Sequence, residues 1–310
     1  MSRRHSSLAK AFRFVVAETD LMEDLLDKAR FQTLAERCGL PVPAARRFDP
    51  ATIEPAQLGL RFPLIIKPLT RLDRWNDALG LRKALWAENL EAMPALWPQL
   101  RALGLELLAQ EFVHGSEARI ESYHCYIDPQ GRIAGEFTGR KIRTYPLRFG
   151  HTTALEITDA ADVRTQGRDI VERIGLTGVA KLDFKRDMQG NLRLLEINPR
   201  FTLWHHAGAL AGVNIPALVY ADLTGSPRPA PTRLKVGLRW CRPWKDLPAA
   251  REAGEPLFAW ARWTIGCQAK STLSLDDPMP FLRATLSRLA GEHRTREAIG
   301  VWHADKRFNS

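Results

Sequence analysis

Residues 179–200, VAKLDFKRDMQGNLRLLEINPR, constrain this chain more than any other stretch. Two runs rich in apolar residues flank Asp187-Met188-Gln189-Gly190-Asn191, a cluster of turn formers, and the pattern predicts a β-hairpin. With Gln189-Gly190 as a two-residue loop, Met188 faces Asn191, Asp183 faces Glu196 and Lys181 faces Asn198. Directly opposed side chains share a sheet face, roughly 5 Å apart at Cβ. Glu196 and Asn198 share that face because strand side chains alternate with period two. Two carboxylates and an amide oxygen then meet beside a lysine. Like charges so close repel unless a cation lies between them. Oxygen donors of this kind suit Mg2+, which binds through one or two carboxylates and completes its shell with substrate phosphates. An ordinary exposed hairpin face, with Lys181 neutralising Asp183, is the competing reading, and the hairpin alone leaves both open.

The 310 residues suffice for two domains, or for one domain of two lobes. A net charge of +10 suits anionic partners such as nucleotides, nucleic acid and acidic metabolites. The basic residues are scattered, form no long run and accompany no zinc-finger spacing, so nucleic acid is not expected as a partner. Cys38, Cys125, Cys241 and Cys267 are dispersed and form no C-x-x-C pair, which suits a reducing cytoplasm. No signal peptide or membrane span is expected: the basic N-terminus leads into no long apolar region, and the longest apolar stretch, residues 207–221, is broken by Asn214 and Pro216.

Along the chain, residues 12–16 suggest a strand and 20–26 a short helix. Asp27 can cap a helix over 27–38 that Gly39 ends. Residues 62–68 form a buried strand delivering Lys67, and the polar residues 70–79 a loop. Residues 85–103 are expected to be mostly helical, interrupted at Pro94 and Pro98. Strands follow at 105–113, 119–127 and 132–145, the last two joined by Asp128-Pro129-Gln130-Gly131, then a helix at 162–174. After the hairpin, 204–211 and 216–223 are helical. The proline-rich residues 226–231 mark a boundary, beyond which a strand at 234–240 and a helix at 280–290 are expected. His205-His206 are adjacent on a helix and point to different faces, so packing is expected rather than metal binding.

Lys28 in a first helical turn, Lys67 at a strand end, and Lys141 and Arg143 in a strand are each unremarkable alone. Their order is not: Lys28, Lys67, the segment LLAQEFVHGSE at 107–117, Lys141 and Arg143, then Asp183 and Glu196-x-Asn198-x-Arg200. That order resembles the ATP-grasp superfamily, and within it the carboxylate–amine ligases similar to D-aspartate ligase. The strongest resemblance lies in LLEINPRF at 194–201 with the upstream Lys-Leu-Asp; GRKIRTYP at 139–146 points to this branch.

The resemblance implies an α+β ATP-grasp fold, two lobes holding ATP between their sheets, over residues 27–225 (first lobe 27–112, second lobe 113–225). Residues 1–26 would be the remnant of a largely absent N-terminal domain, and 226–310 an extension packed on the core. Lys28 and Lys67 would hold the α- and β-phosphates. Gln110, Glu111, Phe112 and Val113 would form the hinge, with backbone groups of Glu111 and Val113 reading the adenine edge, and Glu117 would bind the ribose hydroxyls. Asp183, Glu196 and Asn198 would ligate Mg2+, with Mn2+ as the alternative ion. Lys141, Arg143 and Arg200 would face the γ-phosphate and the substrate carboxylate. The implied activity is an ATP-dependent ligase that activates a carboxylate, joins it to an amine and releases ADP and phosphate. Its partners would be small carboxylates and amines, amino acids foremost, in a chain that could pair as a homodimer. A shortened, non-catalytic or partner-dependent Mg-ATP-binding subunit is the alternative. The usual glycine-rich phosphate loop is missing; Trp75 and Lys83-Ala84 match the segment this branch carries in its place.

Overall fold

Alternating apolar residues build two antiparallel sheets, described in a computed structural model covering residues 8–70, 75, 78, 84–147, 150–271, 273 and 277–289. The smaller sheet contains β1 (Ala45–Phe48), β2 (Leu64–Pro68), β3 (Leu85–Ala87) and β4 (Leu107–Glu111), in the order β1-β4-β2-β3. Leu64, Ile66, Leu107 and Ala109 point from it into a core with Phe48, Trp75, Trp97 and Leu100. The larger sheet contains β5 (Ile120–Ile127), β6 (Ile133–Tyr145), β7 (His151–Thr158), β8 (Gly178–Arg186), β9 (Leu192–Asn198), β10 (Arg239–Cys241) and β11 (Ala269–Lys270), in the order β11-β10-β7-β6-β5-β8-β9.

Both faces of the larger sheet are covered. On one, Tyr123, Cys125, Ala180, Leu182, Phe184, Leu194 and Ile197 pack against α1 (Thr19–Leu26), α2 (Lys28–Arg37) and α4 (Ala161–Arg173). On the other, Tyr126, Phe137, Leu155 and Val179 pack against α5 (Trp204–Leu210) and α6 (Ile215–Thr224). Gly139 is needed there, because a Cβ would lie 2.8 Å from the Trp204 ring and 2.9 Å from the Glu156 carbonyl oxygen. β8 is therefore enclosed on both sides, and its odd-numbered residues Lys181, Asp183 and Lys185 continue the face that Val179 begins.

The β8–β9 pairing puts Asp183 opposite Glu196 and Lys181 opposite Asn198, as expected, by a route the sequence reading missed. Near the turn the pairs are Arg186 with Leu192 and Phe184 with Leu194, and Asp187 N–H donates to Asn191 O, so the loop has three residues rather than two. A bulge at Leu195 then inserts one residue into β9 and restores the register at Asp183. The core requires this. Leu192, Leu194 and Ile197 all face the same apolar cluster, and each such side chain contributes about 1.5–3 kcal/mol by its burial. Only an extra residue between 194 and 197 satisfies both Leu194 and Ile197.

Other expectations need correction. Residues 85–87 are a strand, and the helix α3 (Met93–Leu103) starts later, with Pro94 in its first turn, where proline is tolerated. Residues 12–16 contribute one bridge, Val16 to Gly178, rather than a strand. β7 was not anticipated. Neither were α7 (Pro243–Glu252) and α8 (Leu257–Ile265), which follow the short β10. Most of the expected loop at 70–79 and Lys83 lie outside the described residues, while Trp75 is helical and buried. β10 pairs with β7, Trp240 opposite Leu155, so the chain beyond the proline-rich stretch returns to the larger sheet. The chain forms two units, Met1–Ala269 and Lys270–Ser310; the second contains α9 (Met279–Leu289). No single described helix is long and apolar enough to cross a membrane; α5 and α6 pass as a bent pair by length and composition.

Candidate active site

β8 and β9 carry the acidic half of the site. Asp183 is buried. Its Oδ2 accepts from Lys181 Nζ at 2.8 Å and lies 3.7 Å from Lys141 Nζ, and its Oδ1 accepts from the Ser122 hydroxyl on β5. Burial works to raise the Asp183 carboxyl, but Lys141, Lys181 and the hydroxyl together hold it below the ordinary carboxylate range. Glu196 is exposed, and Asn198 Nδ2 donates to its Oε1 at 3.0 Å. Arg200 NH2 approaches Asn198 Oδ1 at 3.5 Å, so the three residues of Glu-x-Asn-x-Arg stay together past the strand end. No group of three His, Cys, Asp or Glu side chains poised for a metal occurs among the described residues. Two carboxylates and an amide nevertheless fit Mg2+, which takes its remaining oxygens from phosphate and water.

The smaller sheet and α2 carry cations, one of which lies within electrostatic reach of Glu196. Asp27 caps α2 by accepting from Ala29 N–H and Arg30 N–H, which fixes Lys28 at the first helical position. Lys28 Nζ then donates to Pro68 O at 2.8 Å and Leu69 O at 3.3 Å, tying α2 to the end of β2. Lys67 Nζ donates to Gln110 Oε1 at 2.8 Å across β2 and β4. Burial and then the Lys28 charge push the Lys67 ammonium down to about 8, while Glu196 opposes them. Residues from both sheets therefore share one electrostatic environment.

β4 leads into the linking segment. Glu111 N–H donates to Ala44 O and Phe112 N–H to Pro63 O, leaving the Glu111 side chain to pair with Arg61 at the surface. Phe112 meets the Trp86 ring edge-on at 4.7 Å and the His114 ring at 5.6 Å, and Val113 beside it is buried. Glu117 opens a short 3-10 turn, half-buried. Lys185 on β8 was not singled out in the sequence, yet its Nζ lies 4.2 Å from the Phe112 ring centre and 4.0 Å from Glu117 Oε1. Period-two alternation from Asp183 was the signal that could have found it. Ser122 left no local signal, because only the β5–β8 register brings it to Asp183.

Arg143 is a correction. In a regular strand it would share a face with Lys141. A bulge at Ile142 instead pairs Lys141 with Leu155 and Arg143 with Ala154, neighbours on opposite faces of β7. Arg143 is therefore turned away from Asp183. It is buried, its Nε and NH2 held by Asp246, its NH1 by Glu255, and its guanidinium 4.4 Å from the Trp263 ring centre.

Behind Lys181 lies an aromatic layer. Its ammonium sits 4.9 Å from the Trp204 ring centre. His124 stacks on Phe137 at 4.4 Å and on Trp204 at 5.1 Å, and meets His205 at 5.5 Å. Both His124 nitrogens, His205 Nε2 and the Thr202 hydroxyl are buried without a hydrogen-bond partner. Burial, with Lys181 nearby, lowers the His205 imidazole to about 4, and His124 is held well below the usual histidine range by burial, His205 and Lys181. His206 takes another direction, its Nδ1 accepting from Trp240 Nε1, so the two adjacent histidines point apart.

Residues 133–242, from β6 to just past β10, match the family model described as ATP-grasp in the biosynthetic pathway with Ter operon. The D-alanine–D-alanine ligase of Ectopseudomonas mendocina is 24% identical over 220 residues, which are 65% of this chain and 65% of that protein, so the chain spans just under two thirds of its length. Among solved structures, an ADP complex of N5-carboxyaminoimidazole ribonucleotide synthetase superposes with a TM-score of 0.60 at 14% identity, over 82% of this chain and 66% of that one. The L-amino acid ligase from Bacillus licheniformis superposes with a TM-score of 0.55 at 17% identity, over 75% and 53%. The likeness to these structures, with the two sheets and their helices, shows that the chain has the ATP-grasp fold.

Proposed function

We propose that this chain is an ATP-dependent ligase that activates a carboxylate as an acylphosphate, joins it to an amine as an amide, and releases ADP and phosphate. One observation carries the reading: Lys67, beside Lys28 in the first lobe, acts electrostatically on Glu196 of the second, and Glu196 acts on Lys181, which with Lys141 holds Asp183. An anion bearing several phosphates, with a divalent cation, fits that alternation of charge. Lys28 and Lys67 hold the α- and β-phosphates, the Glu111 carbonyl and Val113 N–H read the base edge, and Glu117 takes the ribose hydroxyls. Asp183, Glu196 and Asn198 hold Mg2+, which when bound offsets charge on the transferring phosphoryl group.

Lys141 starts on Asp183 and turns to the γ-phosphate as the transferring group gains charge. Lys181 holds Asp183 from the Trp204 side. Arg200 offers a planar fork to the substrate carboxylate. Both reactants are anions, so positioning and electrostatic stabilisation lower most of the barrier. The attacking amine then displaces phosphate from the acylphosphate through a tetrahedral intermediate. Amino acids are the proposed substrates, in the branch similar to D-aspartate ligase, on the strength of residues 139–146 and 194–201.

The test is ADP and phosphate release over a panel of amino-acid pairs, with products identified by mass spectrometry and Glu196→Gln as control. Release that needs both a carboxylate and an amine is expected. Tight Mg-ATP binding with no turnover on any pair overturns the ligase reading in favour of a nucleotide-binding subunit.

A further inference from the structure

Resting on the proposed function, we infer that Lys185 is a positioning residue for the nucleoside end of the site: it holds Glu117 at the ribose and so sets the preference for a 2′,3′-diol. Lys185 is buried, on the face of β8 that carries Lys181 and Asp183. A lysine placed there loses hydration and rotamer freedom, and the surroundings compensate. Its ammonium lies over Phe112, the residue that follows β4, and at the margin of ion-pair distance from Glu117. Phe112 is in turn framed by Trp86 and His114, an aromatic floor suited to a purine. The turn bearing Glu117 has a second anchor, Arg119, whose guanidinium donates to Asp187 O at the hairpin turn. Glu117 is thus fixed at both ends of its turn to β8 and its hairpin, the strand that also supplies Asp183.

The arrangement gives Lys185 a role distinct from phosphate binding. Its charge keeps the Glu117 carboxylate from turning out into solvent and aims it as an acceptor for two hydroxyl donors. Hydrogen bonds to a charged acceptor are worth enough that losing one hydroxyl weakens binding about tenfold or more.

The experiment is calorimetric titration of the full chain with ATP, 2′-deoxy-ATP and inorganic tripolyphosphate in the presence of Mg2+. Wild type is expected to prefer ATP over 2′-deoxy-ATP by about tenfold or more. Lys185→Met reduces that ratio to less than about threefold and leaves tripolyphosphate affinity within about twofold; Glu117→Gln does the same. Lys185→Arg, which retains the charge, keeps most of the preference. Lys185→Gln, uncharged and of similar length, is measured in parallel, so the ratio is readable if the methionine variant does not fold. An unchanged ratio in the uncharged variants, or a wild type indifferent to the 2′-hydroxyl, overturns the inference and leaves the ligase reading standing. A wild type that binds no nucleotide overturns both.

Discussion

Lys141 and Arg143 stand two residues apart on β6 and end in two different kinds of charged cluster. Arg143 meets Asp246 through Nε and NH2 and Glu255 through NH1, while Asp246 also accepts from Thr153 and Trp260. Every face of that ion pair is satisfied by the protein. On the other side, Asp183 is approached by two lysines, Glu196 is exposed with only an amide on it, and buried polar atoms of His124, His205 and Thr202 have no partner. The first arrangement is closed and suits a strut that joins β6 to α7. The second has surplus cations and underused oxygens, the arrangement that the proposed anion and metal would complete. Burial and charge alone do not separate the two; completeness of pairing does.

Removing a carboxylate from each cluster should give opposite results. Asp183→Asn is expected to lower turnover by about 10³-fold or more, because it removes the proposed metal ligand and the partner of two lysines at the proposed phosphoryl site. Steady-state ADP release checks it, and a loss under tenfold would place the metal elsewhere. Asp246→Ala is expected to act the other way. It strands a buried guanidinium and costs about 3–5 kcal/mol of stability, read by urea denaturation, while nucleotide affinity in the folded fraction changes less than about threefold. If Asp246→Ala instead abolished turnover with stability intact, Arg143 would return to the reaction.

The difference between the clusters was only partly legible in the sequence. The hairpin and its facing pairs could be read because apolar alternation and a Gly-containing turn are local signals. The three-residue turn and the Leu195 bulge could not be read from the loop, although the adjacent pair Leu194-Leu195 followed by Ile197 already breaks the alternation. The bulge at Ile142 left even less trace. Its cause is the anchoring of Arg143 to Asp246, more than a hundred residues later, in a helix whose short, tryptophan-rich surroundings gave no clear period. Lys28 and Lys67 were placed by a helix cap and an apolar strand, but their closeness to Glu196 depends on how the lobes are joined, which no local pattern records.

A smaller effect, in pH, sharpens the same contrast. Burial and Lys28 lower Lys67 from its ordinary 10.5 to about 8, and bound phosphates favour the charged form. Mg-ATP affinity is therefore expected to be constant below pH 8 and to fall above it, by up to about tenfold per pH unit for the one linked proton. Stability of the nucleotide-free chain carries the opposite sign from this group. Between 8 and 10.5 the unfolded chain binds the extra proton, so the Lys67 contribution grows as pH rises through that window and is lost as pH falls to about 8. Titration calorimetry in buffers of different ionisation enthalpy should show proton uptake on binding near pH 8. A pH-independent affinity from 7 to 9.5 would remove Lys67 from the phosphate site.

The smallest expected effect concerns a charge beside the site that belongs to neither cluster. Glu111 lies at the segment proposed to read the base, yet its carboxylate turns to Arg61, which is almost wholly exposed. Arg61 holds the Glu111 carboxyl below its usual range despite the opposing effect of partial burial. A pair whose arginine is this solvated contributes little to stability. The proposed contact with the base uses the Glu111 carbonyl, which a side-chain change leaves in place. Glu111→Gln should therefore barely move the urea unfolding midpoint, and shift the KM for ATP by less than about twofold. Glu196→Gln, an equally conservative loss of one charge, should abolish turnover. A tenfold rise in KM for Glu111→Gln would mean that the side chain itself reads the nucleotide, and that Arg61 releases it when the site fills.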